Sequence, residues 1–152
     1  MSTLHDTDFF GWTRQQADLL RTRRFDQIDV PSLIDEIEDM GKGQIRELES
    51  QLGILLAHLL KWRYQPEQRS VSWETTIREQ RRRLTRLLAD SPSLKSRLAK
   101  AHDDAYGDAC LIARRETALP EKTFPEISPF SLGQTLDPDY WLADDTEMAV
   151  GT

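Results

Sequence analysis

The chain has 152 residues, 38% of them hydrophobic and 30% charged, with a formal net charge of −6. That length suits one domain able to bury most of its apolar surface, and no segment approaches the roughly 18 consecutive apolar residues of a membrane span. The single cysteine, Cys110, excludes an internal disulfide, and the acidic start MSTLHDTDFF lacks the basic and apolar stretches of a secretion signal, so a reduced, cytoplasmic setting with no membrane partner is expected.

The charge is unevenly spread. Residues 1–72 carry a net −3, residues 73–100 a net +5 and residues 101–152 a net −8. One short basic segment therefore interrupts an acidic chain. Long-range attraction of the whole molecule to nucleic acid is disfavoured, while a local basic face remains open.

The first predicted helix runs from about Thr7 to Arg23, with Asp6 as N-cap. Its apolar-leaning stripe takes in Phe9, Trp12 or Thr13, Gln16, Leu19 and Leu20. The second starts at Pro31, a favoured first helical position, with Asp35, Glu36, Glu38 and Asp39 in its opening turns. Ile45, Leu48, Leu52, Leu55, Leu59 and Trp62 follow at steps of 3 and 4, the spacing of a helical bundle seam. Gly41 and Gly43 interrupt the pattern, each costing about 1 kcal/mol relative to alanine in a helix interior. Two explanations compete: a close contact with another helix, or a break. The unbroken phase from Ile37 and Met40 favours one continuous helix ending before Pro66, about 50 Å long.

A third helix is expected from about Ser72 to Ala89, capped by Ser70 or Ser72, with Trp73, Ile77, Leu84, Leu87 and Leu88 inward. Ser91 and Pro92 announce a fourth, to about Thr117, whose Ala101, Ala105 and Ala109 imply close packing. Pro120, Pro125, Pro129 and Pro138 leave room beyond it only for a short helix near Ser131–Leu136. Phe124, Phe130, Tyr140 and Trp141 read as pegs pinning this strap. The fold expected is all-α: a single helical bundle of four main helices over residues 1–142 with a proline-rich C-terminal strap. An acidic, disordered tail is expected over residues 143–152.

Three constellations carry potential chemistry. Arg78, Arg82 and Arg86 share one helical stripe, with Arg81 and Arg83 pointing elsewhere. The stripe can grip phosphates, pair with acids of the second helix, face water or meet a protein partner. No interleaved aromatics mark it as a single-strand platform. Glu36 and Glu38 lie in the acidic cluster, and Glu36 with His58 is the one weak candidate for a metal pair. Histidines are few (His5, His58, His102), no Glu-x-x-His motif occurs, and dipole complementarity explains the acids more simply. His58 itself reads as a core histidine with one hydrogen bond, and Cys110 as a buried, inert thiol. No nucleophile–base pattern is present, so no catalytic residue, cofactor or metal is expected.

The stretches DFFGWTRQQADLLR, IDEIEDMG, LESQLGILLAHLLKWRYQPE, SWETTIREQRRRL and LLADSPSLK, followed by ARRETALPEKTFP and LDPDYWL, resemble the bacterial family called Domain of Unknown Function 29. The resemblance covers about residues 6–142. It implies an all-helical bacterial domain and no particular activity. The family's recurring blocks fall on Trp12, Glu36, Glu38, His58, Trp62, Tyr64, Trp73, Arg78, Gln80, Arg81, Arg114, Glu116, Phe124 and Trp141. Polar residues among them suit a buried network of Arg–Glu and Arg–Gln pairs between helices, or a site. The function expected is a small cytoplasmic interaction module that binds another protein or itself, as a homodimer. Two alternatives stand beside it: a nucleic-acid-associated regulator using Arg78, Arg82 and Arg86, and an enzyme, metal-dependent or not, using the second-helix acids with His58.

Overall fold

A computed structural model describes residues 3–141. The expected acidic tail lies outside the described residues. Those described form six α-helices and no strand, and four of the helices are long. They are α1 (Leu4–Thr7), α2 (Phe9–Arg21), α3 (Val30–Tyr64), α4 (Val71–Asp90), α5 (Leu98–Thr117) and α6 (Leu132–Leu136). The all-α class and the four main helices expected from the sequence are what the structure contains. No helix among the described residues is long and apolar enough to cross a membrane. The chain divides into two compact units, Met1–Gly43 and Gln44–Thr152.

In the first unit the predicted single helix is two. Asp8, not Asp6, caps the longer one, its carboxylate accepting the Gly11 N–H at 3.0 Å. Asp6 instead closes a capping box with Thr3 at the start of α1. Two acids two residues apart each offer a cap, and the chain uses both, breaking at Asp8. Trp12 and Gln16 are the buried residues here, fixed by Asp29: the Trp12 indole N–H donates to its carboxylate at 3.2 Å, and its own N–H donates to the Gln16 side chain at 2.8 Å. Asp29 also accepts the Ser32 N–H at 3.3 Å, tying the turn to the first residues of α3.

α3 is unbroken through Gly41 and Gly43. In the second unit its Leu48, Leu52, Leu55 and Leu59 are fully buried, together with Leu56 and Leu60. They pack with Ile77, Leu84 and Leu88 of α4 and Leu94, Leu98, Ala101, Ala105 and Ala109 from the α5 segment. The small α5 residues do allow close approach: a Cβ on the buried Gly53 would lie 3.9 Å from the Ala105 carbonyl oxygen.

α4 starts as predicted, Ser70 Oγ accepting the Trp73 N–H at 3.2 Å. Beyond Pro92 the chain first forms a 3₁₀ stretch, Pro92–Arg97, and the α-helix begins only at Leu98. Such tighter turns commonly lead into α-helices, and the Ser96 hydroxyl takes up the Ser93 carbonyl at 2.9 Å. The strap is ordered to Trp141 and held by its aromatics. Phe124 and Phe130 are buried in the core, Phe124 meets Tyr64 edge-on at 5.7 Å, and Trp141 lies 5.5 Å from Trp62. The Tyr106 hydroxyl donates to the Pro125 carbonyl, and Ser131 opens α6 with a capping box to Gln134.

Candidate functional site

The basic run is sorted by α4 into distinct roles. Arg81 faces inward and is 2% exposed. Its Nε donates to the Thr135 carbonyl at 2.9 Å and its Nη2 to the Gln134 carbonyl at 3.1 Å, so a guanidinium of α4 holds the strap. Its Nη1 is buried with no hydrogen-bond partner among the described residues. Burial pushes the Arg81 pKa down, opposed by the Asp137 carboxylate. Arg78 and Arg83 pair with Glu74 and Glu79 one turn back, at 2.9 and 2.6 Å. The partners thus come from α4 itself and not from the acids of the preceding helix. Arg82 and Arg86 are exposed and have no ion pair among the described residues.

Arg78, Arg81, Arg82 and Arg86 line one cleft of about 560 Å³, whose other walls are Thr85, Ala89, Leu136 and Pro138. The Trp141 ring sits beneath two of these cations, 4.8 Å from the Arg78 guanidinium and 5.5 Å from that of Arg81. A second groove along the other side of α4 is lined by Thr75, Arg78, Glu79, Arg82, Arg83 and Arg86.

None of the remaining candidates is among the residues lining this cleft. Glu36 meets a histidine, but it is His5, whose Nε2 lies 2.7 Å from Oε1. That hydrogen bond raises the His5 pKa. The ring also packs edge-on against Trp12 at 4.6 Å. His58 has a different partner, its Nδ1 lying 2.9 Å from the Ile54 carbonyl oxygen, and burial lowers its pKa. Glu36 and His58 thus each have their own partner, and no group of three or more His, Cys, Asp or Glu side chains suited to a metal ion occurs among the described residues. Glu38 is exposed, without an ion pair among those residues. Cys110 is half-buried rather than buried, its thiol pushed up by desolvation.

Arg81 uses backbone carbonyls rather than a Glu or Gln side chain, and the buried Gln80 Oε1 has no hydrogen-bond partner among the described residues. The buried pair is one the sequence reading missed: Lys61, 4% exposed, donates to Glu116 of α5 at 2.5 Å. Its Nζ also lies 4.7 Å from the Trp73 ring centre. A lysine next to the leucine seam gave the only hint.

The first unit offers a surface rather than a cleft. Among the described residues, nine of the twelve exposed large apolar side chains fall in it, including Phe9, Phe10, Phe25, Val30, Ile34, Ile37 and Met40. Val30, Ile34 and Ile37 follow steps of 4 and 3 and form one stripe on α3. Gly41 continues that stripe, and a Cβ there would meet nothing within 4 Å.

The family model described as Domain of unknown function DUF29 matches residues 4–141. The chain belongs to the DUF29 family. No curated protein and no solved structure matches the chain significantly. The positions that the resemblance marked in this DUF29 chain fall into local groups. Trp62, Arg78, Arg81 and Trp141 cluster around the strap, Tyr64 meets Phe124, and Glu116 takes Lys61.

Proposed function

We propose that this DUF29 chain is a bacterial, cytoplasmic interaction module that pairs with a second copy of itself through the apolar stripe of α3. The observation that carries this is the first unit's composition. Its described residues, 3–43, bury only Trp12 and Gln16, yet expose nine large apolar side chains. A unit this small ordinarily needs a partner, metal or disulfide to be stable, and contiguous exposed apolar surface is a mark of interfaces.

Two features favour a second copy as the partner. Gly41 lies on the stripe, and a Cβ there meets nothing within 4 Å among the described residues, which leaves a helix-weakening glycine open to a close contact with another copy. Glu38 and Lys42 sit one turn apart on the same flank, both exposed and without an ion pair among the described residues. An antiparallel two-fold pairing in which the two helices cross near Met40 brings Ile37, Met40 and Gly41 of the two copies together and sets Glu38 of one copy opposite Lys42 of the other, twice, as an isologous contact requires. The single cysteine supports a reducing compartment.

The test is the mass in solution. Light scattering after gel filtration should give about twice 17.6 kDa, falling to the single-chain mass in Ile37→Glu. A wild-type chain that stays at the single-chain mass at every concentration removes the proposal.

A further inference from the structure

We propose that the cleft between α4 and the strap is a binding site for a phosphorylated small molecule of nucleotide size. Four arginines, Arg78, Arg81, Arg82 and Arg86, line this cleft of about 560 Å³, within the range of small-ligand pockets. No acidic residue lines it. Arg82 and Arg86 have no ion pair among the described residues and repel one another at i,i+4 spacing, while Arg78 is paired with Glu74. Arg81 adds a buried Nη1 without a hydrogen-bond partner among the described residues. Such an atom ordinarily has a partner. An anion bound here relieves the repulsion and accepts charge-assisted hydrogen bonds from planar forks, the geometry arginine offers to phosphate.

The shape of the site selects the ligand class. Leu136, Pro138 and Ala89 give the cleft an apolar side, suited to the organic body of a phosphate ester. Trp141, 4.8 and 5.5 Å from the Arg78 and Arg81 guanidiniums, holds those two cations in place from below. The strap closes one wall, and the net charge of −6 repels an extended polyanion. Both favour a compact ligand over a nucleic-acid strand.

The experiment is calorimetric titration of the full chain with inorganic pyrophosphate, adenosine diphosphate and a short single-stranded DNA. Saturable binding of either small anion at one site per chain is expected, weakened at least about tenfold in both Arg82→Gln and Arg86→Gln. Tighter binding of the diphosphate ester than of pyrophosphate is expected, and equal or tighter binding of pyrophosphate overturns a ligand of nucleotide size. Arg83→Gln, whose side chain pairs with Glu79 outside this cleft, should bind as the wild type does. Arg82 and Arg86 are exposed and make no hydrogen bond or ion pair among the described residues, and circular dichroism verifies folding of each variant. Failure of both small anions to bind, equal weakening in Arg83→Gln, or binding of DNA alone each overturns the proposal.

Discussion

Arg81 of α4 donates to the Thr135 carbonyl of α6 at 2.9 Å, across 54 positions of sequence. Thr135 is itself fully buried, its hydroxyl donating to the Ser131 carbonyl at 2.8 Å and lying 3.0 Å from His102 Nε2. The hydroxyl proton is spent on Ser131, so His102 donates through Nε2. Burial lowers the His102 pKa. One arginine, one threonine and one histidine thereby lock the strap to α4 and α5.

Arg81→Met is therefore expected to destabilise the fold by about 2 kcal/mol, since two strap carbonyls lose charged donors while the buried volume is largely retained. Denaturant unfolding measures the loss. Hydrogen exchange should show it concentrated at the amides of residues 131–136, with those of α3 in the second unit nearly unchanged.

Glu116→Gln leaves the buried Lys61 ammonium without its carboxylate. A cost of about 1–2 kcal/mol is expected, below the value for a fully buried pair because the Glu116 side chain is 38% exposed and screened by water. The Lys61 bond also holds the Glu116 pKa below the usual carboxylate value. Its stabilisation is thus complete above the unfolded-state pKa and lost as the pH falls through the lowered folded-state value. Unfolding midpoints across the acid range should converge for wild type and Glu116→Gln at the lowest pH.

His5 behaves with the opposite sign. Its hydrogen bond to Glu36 raises its pKa above the ordinary 6.5, so its contribution is full below that value and lost as the pH rises through the folded-state pKa. NMR titration of the His5 ring should give a midpoint above 6.5, falling in Glu36→Gln. An unchanged midpoint in that variant would remove the contact.

Ala118 ends α5 in the left-handed region, φ 58° and ψ 17°, with its N–H on the Arg114 carbonyl. A Cβ is strained there, and glycine is the residue this cap favours. Ala118→Gly is expected to raise stability by up to about 1 kcal/mol, read as a higher melting temperature.

The long seam was legible because leucines at steps of 3 and 4 admit one buried face, and the strap because four prolines forbid a long helix while aromatics demand cover. The inward turn of Arg81 was half legible: helical spacing separated it from the Arg78 row. That it would bond backbone carbonyls rather than an acid was not, since any buried carbonyl serves and carbonyls leave no trace in a sequence. The Glu36 partner was missed for a related reason. His5 lies on a four-residue helix that ends where Asp8 starts a second cap, a local competition that periodicity does not resolve. Lys61 escaped because its neighbours Leu59 and Leu60 mark the face as apolar, while the acid that permits its burial stands 55 positions away.

The proposed pairing through the α3 stripe is tested most directly by exchanging charges across it. Sedimentation equilibrium is measured on the wild type, Glu38→Lys, Lys42→Glu and the double exchange. Two-fold pairing predicts a dimer for the wild type, weakened association in each single variant, where like charges face each other twice, and recovery in the double exchange. A monomeric wild type, or a double variant no better than the singles, contradicts it.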